Sequence, residues 1–154
     1  MGYEVTFRVL AIDPGKMSGL VVLKCSDDLS QIDIELSVEY DEAYTGFKIE
    51  EITSMANVEV VMEDFFINVE TGKKKDVRYS LELIGVGRHY ANYRGRKFKL
   101  QPPSSKQFAP NDMLRDLGFW VPGGEGHMHD AMRHAIVYLV QEYGWRPKGL
   151  LGED

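Results

Sequence analysis

Val9-Leu10-Ala11-Ile12-Asp13-Pro14-Gly15 is the stretch from which the rest of the chain is read. Four apolar residues in a row suit a strand covered on both faces, because each side chain, up or down, must then meet other apolar atoms. Asp13-Pro14-Gly15 closes the strand with turn chemistry. Working upstream, the strand begins near Val5. Downstream, Gly19 to Lys24 predicts a second strand, so the two make a hairpin around the Asp-Pro-Gly turn. Ser26 to Ser30 is polar and reads as another turn. Ile32 to Tyr40 then alternates, with Ile32, Ile34, Leu36 and Val38 set against Asp33, Glu35, Ser37 and Glu39. Period 2 is the mark of a half-exposed strand.

Beyond this meander, strands and helices alternate. Ala43 to Ala56 carries a helical pattern through Phe47, Ile49, Ile52 and Met55. Val58 to Met62 is another apolar strand, ending at Glu63-Asp64. Asn68 to Lys75 is polar. Val77 to Tyr93 predicts a long helix with Leu81, Ile84, Gly85 and Arg88 on one face and Leu83 and Val86 beside it, closed by Gly95. Lys97 to Gln101 is a short basic strand stopped by Pro102-Pro103. Short helical turns follow at Ser104 to Phe108 and Asn111 to Leu117, then a glycine-rich loop, Pro122 to Gly126. Met128 to Tyr143 is the last helix, ended by Gly144. The order predicts an α/β fold: a mixed five-stranded sheet, its first three strands antiparallel, flanked by helices.

At 154 residues the chain fits one domain, residues 1–154, with 146–154 as a flexible tail. No apolar run approaches the roughly 20 residues of a membrane span, and the N-terminus lacks the pattern of a secretion signal. The single cysteine, Cys25, excludes an intrachain disulfide and a cysteine-rich zinc site, and a reducing cytoplasm is the expected location. Net charge is −6, yet from Lys73 to Lys106 ten basic residues meet only two acidic ones. That window carries +8 and the remainder −14. A basic third on an acidic body suits a polyanion; a solvated basic face is the plainer alternative.

Three acids stand where such a sheet exposes its chemistry: Asp13 at the end of the first strand, Glu63 at the end of the fourth, Asp130 at the start of the last helix. His127 lies three residues before Asp130 and shares its face. Taken singly these are a turn, a strand end and a helix cap. Taken together they group negative charge, and two charges about 5 Å apart repel by roughly 3 kcal/mol at an effective dielectric near 20. A cation between them, or a proton on one, relieves that repulsion. Oxygen-rich sites suit Mg²⁺ or Mn²⁺, and one or two such ions support phosphodiester cleavage. Zinc is an alternative, because His127, His129 and His134 cluster nearby.

In this order the motifs resemble the RuvC family of Holliday-junction resolvases, members of the RNase H-like superfamily. Ala11-Ile12-Asp13-Pro14-Gly15, with Ser18-Gly19 after it, is similar to the family's first motif. Val61-Met62-Glu63-Asp64-Phe65-Phe66 is similar to the segment with its second acid, and Ser80 to Arg88 to the glycine-containing helix that follows. His127-Met128-His129-Asp130-Ala131 resembles the last motif. The resemblance spans residue 9 to about residue 140. It implies an RNase H-like fold, a homodimer, and paired symmetric nicks in four-way DNA junctions with Mg²⁺ or Mn²⁺, with no small-molecule cofactor. It implies that Asp13, Glu63, His127 and Asp130 are the metal-site residues, leaving His129 as a competitor of His127. It suggests Phe66 as an aromatic that stacks at the opened junction, and stacking of this kind is worth about 1–3 kcal/mol per base.

Leu100 to Lys106 only loosely resembles the family's basic loop, and Lys106 is the candidate there for phosphate contact or charge stabilisation. Lys73, Lys74, Lys75, Arg78, Arg94, Arg96, Lys97 and Lys99 are candidate contacts to backbone phosphates, which position DNA without reading its sequence. The helix Val77 to Tyr93 is the candidate dimer interface. A compact, divergent form of this kind fits a virus-encoded enzyme working in a host cytoplasm as well as a bacterial one. The alternatives are a nuclease of the same fold acting on flaps, forks or RNA–DNA hybrids, and a non-catalytic junction-binding module. A kinase-like or actin-like ATPase would need two halves of this size and a second phosphate loop.

Overall fold

The computed structural model describes residues 6–65 and 77–147. Its strands are β1 (Thr6–Asp13), β2 (Met17–Ser26), β3 (Ile32–Asp41), β4 (Val58–Glu63) and β5 (Phe98–Gln101). Its helices are α1 (Glu42–Thr53), α2 (Val77–Tyr93), α3 (Asn111–Asp116) and α4 (His127–Tyr143), with a 3₁₀ helix over Pro103–Phe108. The strands form one sheet in the order β3-β2-β1-β4-β5. β1–β2 and β2–β3 are antiparallel, while β1–β4 and β4–β5 are parallel. This is the mixed five-stranded sheet that the meander and the following alternation predict. The hairpin strands run further than their apolar cores suggest, with β2 paired from Met17 to Ser26.

Strand parity decides what each face carries, since successive side chains point to opposite sides. Val9 and Ala11 of β1 and Val61 of β4 face α4, where they pack with Met132, Ala135, Ile136 and Leu139. Leu10, Ile12, Val60 and Met62 face α1 and α2, meeting Ile49, Ile52, Leu83 and Ile84. Asp13 and Glu63 continue the first set, so both carboxylates fall on the α4 side. Register brings them level: Ile12 pairs with Met62, so the residues after each end side by side.

Two helices bury only part of the faces predicted for them. α1 turns Thr45, Ile49, Ile52 and Thr53 inward, leaving Phe47 69% exposed and Met55 at its margin 40% exposed. α2 buries Ser80, Leu83, Ile84, Gly87 and Ala91, while Leu81 is 39% exposed. The inward stripe of α2 runs through small residues because the helix lies close on the sheet. A Cβ at Gly87 would collide with the buried Met62 side chain. Apolar size alone therefore marks Leu83 and Ile84 but misses the small residues of the stripe. The proposed tail falls mostly outside the described residues.

Candidate active site

The C-terminal ends of β1 and β4 and the N-terminal turn of α4 meet at one place. Two details of sequence bring them there. Ser18 Oγ accepts a hydrogen bond from the Gly15 N–H and donates to the Gly15 carbonyl, both at 3.1 Å, so the turn after Asp13 is tied shut. Gly19, the ladder partner of Asp13, lies directly under the first residue of α4; a Cβ there would strike the His127 carbonyl. The helix start can approach only because position 19 has no side chain. Gly126 precedes α4 and offers no side-chain cap. Glu39 of β3 does that work from across the sheet, accepting from the N–H groups of Glu125 (2.8 Å) and Met128 (3.0 Å). Burial opposes the charge on Glu39, but these backbone donors hold its carboxyl below the usual range.

Within this frame His127 Nδ1 lies 3.4 Å from Asp13 Oδ2. Lys106, from the 3₁₀ helix, places its ammonium 3.3 Å from Glu63 Oε1 and 3.4 Å from Asp130 Oδ2. Arg133, one turn past Asp130 on α4, donates to Asp130 Oδ1 at 3.0 Å and to the Ala109 carbonyl at 3.0 Å. His134 Nε2 lies 3.0 Å from Glu63 Oε2. Asp13, Glu63, Asp130, His127 and Lys106 are thus brought together. His129 is not among them: its ring stacks on Trp120 at 3.8 Å between centroids, and its Nε2 faces the Val121 carbonyl at 2.7 Å. The histidine facing Asp13 is His127.

The electrostatics follow from crowding. Burial, reinforced by the charges of Glu63 and Asp130, pushes the Asp13 carboxyl up to about 8. Glu63 is also penalised by burial, but the His134 hydrogen bond and the Lys106 charge hold it below its usual value. Burial lowers the Lys106 ammonium, yet Glu63, Asp130 and Asp13 outweigh it and hold the group firmly charged. The site therefore binds positive charge in two forms, a proton on Asp13 and the ammonium of Lys106. Among the described residues no three acidic, histidine or cysteine side chains stand close enough to hold an ion as placed. The donor set, three carboxyls and one imidazole, is nonetheless of the kind that hard divalent cations take.

The other basic residues are divided by the fold. Arg78 is exposed at the start of α2, where Ser80 Oγ donates to the Pro14 carbonyl at 2.9 Å and ties that helix to the site. Arg96 donates to the Thr53 (3.1 Å) and Met55 (2.7 Å) carbonyls and closes the end of α1. Lys99 pairs with Glu142, Lys97 lies 3.9 Å from Glu59, and Arg94 sits over the Tyr93 ring. Glu142 is fifteen residues along α4 from His127, which is about 22 Å at 1.5 Å per residue. β5 itself ends level with Glu63, at Gln101, but Lys97 lies beside Glu59 near the start of β4 and the Lys99 side chain reaches toward the C-terminal end of α4, away from the carboxylates. Phe66, Lys73, Lys74 and Lys75 lie outside the described residues. Sequence reasoning did not single out Lys16. It lines a groove of about 350 Å³ beside His127, with Met17, Phe65, Val77 and Ser80.

A mixed sheet of this order, with acids at the ends of its first and fourth strands and a helix laid across them, has the RuvC-like form of the RNase H-like fold. No protein-family model matches the sequence, and no curated protein matches it. Among solved structures the fold is similar to that of Thermus thermophilus RuvC in complex with a Holliday junction substrate, at TM-score 0.67 and 18% identity, covering 90% of this chain and 96% of that one. A second Thermus thermophilus RuvC structure is similar at TM-score 0.66 and 17% identity, covering 90% of this chain and 97% of that one.

Proposed function

We propose that this chain is a divalent-metal-dependent endonuclease that resolves four-way DNA junctions by paired symmetric nicks. One observation carries the reading: Asp13, Glu63 and Asp130 converge with His127 and Lys106 at one end of a RuvC-like sheet. Asp13, Glu63, Asp130 and His127 would hold one or two Mg²⁺ or Mn²⁺ ions. Bound there, such ions supply activation of water and stabilisation of the leaving oxygen in phosphodiester hydrolysis.

The chain's own residues do the rest. Lys106, already charged and facing the acids, neutralises charge that builds on the phosphate. Arg133 fixes Asp130 in one orientation, and Glu39 fixes the helix turn that carries His127. Lys16 lines the groove beside His127, Arg78 is exposed at the start of α2, whose Val77 and Ser80 also line it, and both would meet the sugar–phosphate backbone. Arg94, Arg96, Lys97 and Lys99 are left out of this contact surface, because they lie at the other end of the sheet or are engaged within the protein. Two nicks on a two-fold substrate call for two sites, and a C₂ homodimer supplies them. The α2 face bearing Leu81 is the proposed interface.

Cleavage of a synthetic four-way junction, with and without Mg²⁺ or Mn²⁺, tests the reading beside flaps, forks, duplexes and RNA–DNA hybrids. Metal-dependent nicks at symmetric positions in opposing strands are expected. Faster cutting of hybrids or flaps than of junctions would overturn the junction assignment.

A further inference from the structure

His134 lies four residues after Asp130 on α4, on the face turned to the sheet, and is fully buried. Ala131, Ala135 and Leu139 are buried on the same helix, so burial alone does not call for an imidazole. The ring instead completes a chain of polar groups. Gln101 ends β5 and is the ladder partner of Glu63, so strand parity turns both side chains toward α4. The Gln101 amide is itself 1% exposed. Only one of its two orientations satisfies both ends: the oxygen faces the Tyr138 N–H at 3.3 Å, and the nitrogen donates to His134 Nδ1 at 2.7 Å. A ring that accepts at Nδ1 carries its proton on Nε2, and Nε2 lies 3.0 Å from Glu63 Oε2. The other Glu63 oxygen faces Lys106.

We propose that His134 is a positioning residue: backed by Gln101, its Nε2–H holds the Glu63 carboxylate turned toward Asp13 and Lys106, ready to take a divalent cation. The inference rests on the reading of Asp13, Glu63 and Asp130 as a metal site. It assigns His134 no contact with substrate and no proton transfer. A buried donor behind a ligating carboxylate fixes which way its oxygens point, and loss of such a partner typically costs about 10–100-fold in metal affinity or activity.

The test compares His134→Gln, His134→Asn and His134→Ala. Glutamine carries its amide nitrogen about as far from the backbone as Nε2 and keeps a donor to Glu63. Asparagine ends near Nδ1 and cannot reach it. Mn²⁺ binding to the full-length chain, followed by calorimetry without DNA, is expected to weaken by about 10–100-fold in the Asn and Ala variants and by less than about threefold in the Gln variant. Thermal melts run beside it separate folding from binding. Equal weakening in all three variants, or unchanged affinity in His134→Ala, would overturn the proposal. In the unsubstituted protein, ¹⁵N spectra of the imidazole are expected to show Nε2 protonated, and an unprotonated Nε2 overturns it without any variant. If the unsubstituted protein binds Mn²⁺ but leaves branched DNA intact, the nuclease reading fails while the comparison of variants still decides the role of His134. Absence of Mn²⁺ binding overturns both.

Discussion

Asp13 is the most strained ionisable group in the site, and its position has a measurable consequence. Its carboxyl is pushed up to about 8 by burial, Glu63 and Asp130, above the value it has in an unfolded chain. The folded state therefore prefers Asp13 protonated. That contribution to stability is whole below about pH 4 and is lost as pH rises through about 8. The metal-free protein is expected to melt at a lower temperature at pH 8 than at pH 5, and Asp13→Asn should remove most of the difference. The gain at pH 8 should be on the order of 2–4 kcal/mol, read by chemical denaturation. The same substitution should abolish cleavage while leaving junction binding, measured by gel shift. An Asn variant that still cuts would remove Asp13 from the site. Asp13 and Glu63 are legible in the sequence because an acid that ends a run of buried apolar residues has no packing reason to be there. His134 is not. It occupies an ordinary helix-core position, and the partner that explains it is 71 residues away. Strand register sets Glu63 beside Gln101, and only the packing of α4 across the sheet brings His134 to both.

At the scale of elements, the N-terminal turn of α4 is set by its contact with β2. Gly19→Ala would push a methyl group into the His127 carbonyl, and backbone cannot swing aside as a flexible side chain can. The first turn of α4 must move, carrying His127 and Asp130 with it. Since a displacement near 1 Å at a reacting centre can cost about 100-fold, cleavage should fall about 100-fold or more. The melting temperature should drop only as far as a local repacking requires. A variant with normal activity would show that the close approach is not needed. Glycine at 19 is visible in the sequence, but its reason is not, because the atom it makes room for belongs to a helix more than a hundred residues later. Part of the inward face of α2 was hidden for a related cause. Its inward stripe contains Ser80 and Gly87, and size and apolarity do not mark small residues as buried. The strands, by contrast, were legible throughout, since two-residue alternation and unbroken apolar runs report burial directly.

For the molecule as a whole, the distribution of charge is the property most altered by folding. A window of +8 is one basic stretch on paper. Helix α2 and the turn back into β5 separate it, so Lys106 stays against Glu63 and Asp130 and Arg78 stays at the start of α2, while Lys97 and Lys99 reach toward the other end of α4. In the proposed contact with DNA, Lys16, Arg78 and Lys106 are the described cations on the site's side of this division, and binding should depend on each of them. Arg78→Ala is expected to weaken junction binding uniformly across sequences and to reduce the slope of log affinity against log salt by about 1, measured in a non-cleaving buffer. An unchanged slope would take Arg78 out of the contact surface. Contiguity in sequence predicted one face, and the crossover from α2 to β5 is what divides it.

The span between His127 and Asp13, 114 residues along the chain, also bears on the order in which the protein comes into being. The hairpin and its acid are synthesised first, and the helix that completes the constellation follows more than a hundred residues later. Pairings so distant are closed late, because the entropy of looping the chain must be met before they return anything. A nascent chain halted before α4 has Asp13 and Glu63 but neither His127 nor Asp130, so it holds half a reaction centre. For the nuclease proposed above, cutting would thereby be withheld from the ribosome-bound molecule and arrive in one step, with the docking of that helix.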